Sequence, residues 1–71
     1  MTIDEHTKRF GFIAVQAGFI IEDQLVEAIR LQAELDTNGA GHKLIGEILV
    51  ELGYMESSEV DEVLKLMRRA V

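Results

Sequence analysis

A chain of 71 residues can bury the core of one small domain and no more, so it must pack efficiently or associate. It contains no cysteine, which excludes a disulfide framework and a thiolate zinc site, and no proline, which favours helices. Thirteen acidic against seven basic residues give a net charge of -6, which repels DNA, RNA and anionic lipid and argues against a nucleic-acid binder.

The N-terminal segment 1–7 is charged and precedes the first predicted helix. Thr2 and Glu5 have the spacing of a capping box, although a frayed tail is the simpler interpretation. Helix one is predicted over 8–17, because its apolar residues fall at i, i+3, i+4 and i+7 and Gly18 follows as a stop. We expect a short first helix.

A longer second helix is predicted from the acidic pair Glu22 and Asp23 to about Asp36. Its buried stripe is expected to be Leu25, Ala28, Ile29 and Gln32. The segment 37–42 then has the loop composition expected of a hinge, with Asn38 and Gly39 supplying helix-stop and turn chemistry.

Helix three is predicted over about 43–52, with Gly53 as its stop, and helix four follows a short apolar connector. Ser57 or Ser58 is a candidate cap for helix four. Acidic residues at the start of this helix and basic residues at its end complement the helix dipole.

The second half of the chain repeats the first in altered form. A shift of 35 residues superimposes identical residues and apolar positions of the same kind. The matched pairs are Gly11 and Gly46, Ile13 and Ile48, Val15 and Val50, Gly18 and Gly53, Glu27 and Glu62, Leu31 and Leu66, Phe10 and Ile45, Ala14 and Leu49, Phe19 and Tyr54, Ile20 and Met55, Leu25 and Val60, and Ile29 and Leu64. The first unit spans about 8–36, the loop 37–42 and the second unit about 43–71, all within one helical domain of residues 1–71. We predict an all-α fold of four helices in two helix-turn-helix hairpins related by a pseudo-twofold axis.

Gly11 and Gly46 lie inside predicted helices at the same phase of the repeat. Glycine in a helix interior costs about 1 kcal/mol relative to alanine, so its recurrence needs a reason. Either packing or a ligand brings another group too close for a Cβ atom.

Catalytic chemistry finds no support in the residue types. His6 falls in the predicted tail and His42 in the loop, and neither has a partner at helical spacing that completes a metal site or a general-base pair. We therefore expect no enzyme activity, no metal site and no cofactor. The helix-turn-helix outline suggests DNA binding, yet the second helix of each pair is acidic on its outer side.

Arg9 and Gln32 lie at the edges of apolar stripes and face Leu44 and Met67 in the second unit. A guanidinium grips phosphate or a guanine edge in a fork, and an amide both donates and accepts, so these side chains are candidate ligand anchors. Alternatively, Arg9 lays its stem along the core and Gln32 bonds a helix end.

The first unit resembles a motif of a known family. Its Arg9, Phe10, Gly11, Ala14, Gly18, Leu25, Ile29 and Gln32 are similar to the pattern RLGxxLxxxGxxxxxxLxxxLxxQ, which occurs in tandem in the N-terminal domains of type II secretion and type IV pilus assembly ATPases. The resemblance covers residues 9–67 and implies the helical fold as a free-standing module. One branch of the family binds cyclic di-GMP, which implies a ligand site at Arg9, Phe10, Gly11, Gly18 and Gln32. Leu44 and Met67 replace the motif arginine and glutamine in the second unit.

The resemblance and the residue types together favour a non-enzymatic bacterial module that docks a protein partner and serves a regulatory role. Phe12, Phe19 and Tyr54 are the candidate docking residues. The alternative is a cyclic di-GMP receptor that uses the first unit. The charged N-terminus is unlike a secretory signal and the apolar runs are too short to span a membrane, so we expect a cytoplasmic protein without membrane insertion.

Overall fold

The computed structural model describes residues 3–69, and this part of the chain is all-helical. Its helices are α1 (Glu5–Gln16), α2 (Glu22–Thr37), α3 (Ile45–Glu51) and α4 (Ser57–Arg69). No strand occurs within residues 3–69, so the predicted all-α class with four helices is confirmed for that range. In each half the first helix is the shorter one, as the repeat predicted.

The first helix begins earlier than the sequence pattern predicted. The carboxylate of Asp4 accepts a hydrogen bond of 2.7 Å from the backbone N–H of Thr7, which caps α1 and allows it to start at Glu5. The predicted start at residue 8 is therefore wrong. His6 lies inside α1 with its ring tilted against that of Phe10, rather than in a tail. The candidate cap Thr2 lies outside the described residues.

Both short connectors end their helices in the same way. The N–H of Phe19 donates to the carbonyl of Ala14 at 3.0 Å, and the N–H of Tyr54 donates to that of Leu49 at 3.0 Å. These bonds belong to Schellman motifs, in which the residue after the cap takes a left-handed conformation that suits glycine. Gly18 and Gly53 occupy that position, each with a φ of 81°.

The long helices also begin alike. The backbone N–H of Ile21 donates to Gln24 Oε1 at 3.0 Å, and that of Glu56 donates to Glu59 Oε1 at 2.9 Å. In each case a side chain of the first turn satisfies an N–H just before the helix. Ser57 is the first residue of α4, so neither candidate serine occupies the cap position.

The main helix contacts run between the two units rather than within them. The helix α1 packs most extensively against α4, and α2 packs most extensively against α3. A smaller contact joins α1 to α3. Each unit therefore completes its buried surface with helices from the other unit.

The hydrophobic core consists of residues that match across the repeat. Its members in the described chain are Phe10, Ala14, Ile20, Ala28, Ile45, Ile48, Leu49, Met55 and Val63. All except Ile48 fall into pairs separated by 35 residues, and Ile48 matches the half-buried Ile13. The repeat in the sequence is thus a repeat of buried positions.

The glycines inside α1 and α3 make room for side chains of a neighbouring helix. A Cβ atom on Gly11 would lie 2.8 Å from Leu25 Cδ2. One on Gly46 would lie 3.1 Å from both Phe10 Cζ and Val60 Cγ1. Because Leu25 and Val60 also correspond in the repeat, both glycines serve the same packing contact.

Replacing Gly46 by alanine is expected to destabilise the protein. Helix propensity favours alanine by about 1 kcal/mol, but overpacking costs about 1–3 kcal/mol where neighbours are held fast. The Phe10 ring is only 1% exposed, so we expect a net loss of about 1 kcal/mol in the free energy of unfolding. Urea unfolding followed by circular dichroism measures it. Gly11→Ala is the matched control and should cost less, because Leu25 is half-buried and its methyl groups can rotate. A Gly46→Ala variant more stable than the parent would contradict this packing account.

The cap at Asp4 gives a second prediction, on the pH dependence of stability. The N–H of Thr7, by donating to the carboxylate, holds the pKa of Asp4 below its ordinary value. A lowered folded pKa contributes stability that is present above the unfolded pKa and is lost as the pH falls through the folded pKa. Asp4→Ala should therefore cost about 1 kcal/mol at neutral pH, and the difference should shrink in acid.

Asp4→Asn is the control for this measurement, because its amide oxygen can still accept from Thr7 without titrating. At neutral pH we expect a smaller loss of stability than in Asp4→Ala. The difference in stability between the Asn and Ala variants should not depend on pH in the acid range, because neither side chain titrates. An Asp4→Ala difference that stays constant from neutral to acid pH would show that the cap does not act through the charged carboxylate.

Candidate functional site

Arg9 lies on the exposed side of α1 and reaches the end of α4. Its Nη2 donates to the backbone carbonyl of Met67 at 3.2 Å. Met67 lies in the last turn of α4 that the structure describes. The guanidinium of Arg9 therefore lies where it complements the negative end of the helix dipole of α4.

Gln32 is buried, with 7% of its surface exposed, and it joins three segments. Its Nε2 donates to the carbonyl of Lys43 at 2.8 Å, just before α3 begins. Its Oε1 accepts a longer bond of 3.5 Å from the hydroxyl of Thr7 on α1. Both polar atoms of the amide are thus used inside the fold.

The other candidate ligand residues have separate surroundings. Phe10 is 1% exposed and belongs to the core, and Gly11 is buried against Leu25. Gly18 is exposed in the turn after α1. The structure therefore gives Phe10, Gly11 and Gly18 packing and turn roles.

Arg9 and Gln32 bind the other unit at positions related by the repeat. Arg9 bonds Met67, which occupies the position equivalent to Gln32. Gln32 bonds Lys43, the neighbour of Leu44, which is equivalent to Arg9. The two polar side chains of the first unit thus tie the second unit in place at both of its ends.

His42 connects the loop to both helices of the first unit, a contact that its sequence surroundings do not reveal. Its Nδ1 lies 3.1 Å from Asp36 Oδ1, and its Nε2 lies 3.6 Å from Asp4 Oδ2. About half of each side chain is exposed, so these ion pairs contribute little to stability. The histidine remains in the loop, as predicted.

Tyr54 joins the second connector to the first unit. Its hydroxyl donates to Glu27 Oε1 at 2.6 Å, and this bond raises the pKa of Tyr54 above its ordinary value. Tyr54 and Phe19 are half-buried and pack against the core. Of the three predicted docking residues, only Phe12 is largely exposed, at 66%.

Three apolar residues of the first unit project into solvent. Phe12 is 66% exposed, Ile21 is 61% exposed and Val26 is 52% exposed. We call these three residues the apolar face. Of these three, only Phe12 is among the docking residues predicted from the sequence, and Val26 lies outside the predicted buried stripe of α2.

Every residue of the apolar face corresponds to an exposed acidic residue in the second unit. The pairs are Phe12 and Glu47, Ile21 and Glu56, and Val26 and Asp61. Single exposed apolar residues are ordinary in proteins and need no explanation. The apolar face differs from such single residues, because all three of its positions are acidic in the second unit. The second unit thus forms the same local structure with charged residues at these positions.

Two shallow grooves lie beside these positions. In the second unit Glu47 and Asp61 line one groove of about 360 Å³ between α3 and α4. Their equivalents Phe12 and Val26 are the next residues in sequence after Gly11 and Leu25, which pack together. The other groove, of about 390 Å³, runs along α2 and includes Val26.

Within residues 3–69, no helix combines the length and apolar content that a membrane span requires. The same range holds no group of three or more His, Cys, Asp or Glu side chains placed to bind a metal ion. Comparisons with protein-family models, curated proteins and solved structures found no match. The resemblance to secretion and pilus ATPase domains accordingly rests on the motif residues alone.

Replacing Gln32 by methionine, the residue at the equivalent position 67, tests its structural role. The change removes the donor to the Lys43 carbonyl, and an unsatisfied buried group costs about 1–3 kcal/mol. We expect the free energy of unfolding, measured by urea unfolding, to fall by an amount in that range. Arg9→Met is the control and should cost less than about 1 kcal/mol, because its bond is exposed. If the stability of Gln32→Met were unchanged, the fold would not need the amide, and the amide would be available to a ligand.

Proposed function

We propose that this chain is a non-enzymatic interaction module that docks another protein through the apolar face of its first unit. On the motif resemblance, we place it among bacterial, cytoplasmic regulatory modules of the type that precede secretion and pilus assembly ATPases. The observation that carries the docking proposal is the exchange of Glu47, Glu56 and Asp61 for exposed apolar residues at the equivalent positions.

The fold itself does not account for the apolar face. The second unit forms the same turn and the same helix start with acidic residues at these places. Exposing large apolar side chains forgoes about 1.5–3 kcal/mol of burial for each. A partner that covers Phe12, Ile21 and Val26 would recover that free energy, whereas water does not.

We further infer that the two units are related by an approximate twofold axis. Exchange of the units converts the α1–α4 packing into the α3–α2 packing, which is the other extensive contact. The paired bonds of Arg9 and Gln32 to the opposite unit support the same relation. On this basis the apolar face and its acidic counterpart are equivalent surfaces of the two units.

The alternative, cyclic di-GMP binding, is less favoured by the geometry. Gln32 would have to release the Lys43 carbonyl, and Phe10 would have to leave the core, before either could contact a guanine. Arg9 is the only one of these three residues that is exposed. Titration with the dinucleotide, followed by amide chemical shifts near Arg9 and Gln32, decides this alternative.

Photo-crosslinking in the cells that produce the protein tests the docking function. A benzophenone side chain at Phe12 is expected to form an adduct with a distinct protein, because that position is 66% exposed within the apolar face. The substitutions Ile21→Glu and Val26→Asp should abolish the adduct while the circular dichroism spectrum stays unchanged. They introduce the residue types already found at Glu56 and Asp61.

The matched control places the same probe at Asp61, the exposed equivalent of Val26 in the second unit. It should give no adduct with that protein. Equal adducts from both positions, or adducts that survive the two acidic substitutions, would count against docking through the apolar face.

A further inference from the structure

The apolar face continues along a shallow groove on one side of α2, lined by residues of that helix and its cap. The groove along α2 has a volume of about 390 Å³ and shares Val26 with the apolar face. Its lining consists of Val26, Ile29, Arg30, Ala33, Glu34, Thr37 and Asn38. The apolar members recur at i, i+3 and i+7, so they form one stripe, and Val26 to Asn38 spans about 18 Å of helix. A partner helix of three turns or more matches this length.

The surroundings of the groove are acidic. The helix α2 carries five carboxylates and one basic residue, Arg30, and the chain as a whole has a net charge of -6. The exposed carboxylates are Glu22, Asp23, Glu27, Glu34 and Asp36. A rim of this kind attracts cationic partners and disfavours acidic ones.

We infer that the apolar face and the α2 groove together dock one amphipathic helix whose apolar stripe is flanked by lysine or arginine. This inference rests on the proposed docking function and specifies the chemistry of the partner. Apolar anchors at helical spacing would enter the groove beside Val26, Ile29 and Ala33. The basic flanks would pair with the carboxylates of α2.

Charge also decides against two other occupants. A second copy of this chain brings its own net charge of -6 to the contact, which opposes self-association. An anionic lipid surface is repelled for the same reason. The same negative charge attracts a basic helix.

Three synthetic peptides of about 18 residues, long enough to cover the groove, test the inference with the isotope-labelled chain. The first has leucine and lysine arranged as an amphipathic helix. The second has the same composition scrambled, so that no apolar stripe forms. The third keeps the stripe but replaces lysine with glutamate. Amide chemical shifts locate each peptide, and calorimetry measures its Kd.

We expect the first peptide to shift the amides of Phe12, Val26 and Ala33. It should bind at least about tenfold more tightly than the scrambled peptide, as burial of one or two apolar side chains implies. It should also bind more tightly than the glutamate peptide, whose charge the carboxylates of α2 repel. The variant Phe12→Glu with Val26→Asp should bind it at least about tenfold more weakly, although the added charge by itself would strengthen attraction. Docking predicts weaker binding to this variant, whereas charge attraction alone predicts tighter binding, so the change in Kd distinguishes the two.

Several outcomes would overturn the inference. Equal binding of the scrambled peptide, or tighter binding to the acidic variant, would show charge attraction without a groove. Equal binding of the glutamate peptide would remove the basic preference. A dimer in sedimentation that the acidic variant abolishes, with no peptide bound, would identify a second copy as the occupant. If the glutamate peptide binds equally well, the crosslinks from Phe12 can still report a protein partner. The docking function and the partner chemistry therefore fail separately.

Discussion

Helix packing across the repeat, α1 against α4 and α2 against α3, holds the two units of this domain together, and the Phe10 ring lies against Gly46 beside these contacts. A Cβ atom at residue 46 would lie 3.1 Å from the ring on one side and 3.1 Å from Val60 on the other. The ring is almost fully buried, so glycine at residue 46 relieves a tight contact between α1 and α3. Neither unit packs chiefly on itself, and the domain therefore depends on packing between the units rather than on two stable hairpins.

Polar side chains complete the same arrangement. Arg9 satisfies a carbonyl at the end of α4, and Gln32 satisfies one just before α3. A small core gives little excess stability, so loss of the part-buried bond from Gln32 would be considerable, whereas the exposed bond from Arg9 contributes less. Arg9 and Gln32 distinguish the first unit in sequence and resemble ligand anchors of a known family. In this chain they stabilise the fold.

The surface distinguishes the units where the core does not. Core positions match in pairs, while the outer positions Phe12, Ile21 and Val26 face acidic counterparts across the repeat. An internal repeat supplies its own control for such a comparison, because the same local backbone is built twice with different side chains. The second unit forms the same turn and helix start with acidic residues at these three positions, and it is at their apolar equivalents that the binding role is proposed.

The sequence by itself determined the helical class, the repeat and most of the core, since each follows from local spacing of apolar residues and from glycine stops. It placed Gly18 and Gly53 correctly at the helix ends. It did not determine where α1 begins, because the Asp4 cap depends on one side-chain rotamer. Only the tertiary structure decided which of its two predicted roles Gln32 takes, since an amide on an amphipathic stripe can bond either a ligand or a neighbouring segment. The choice depends on which helix packs against that stripe, and that helix comes from the other half of the chain.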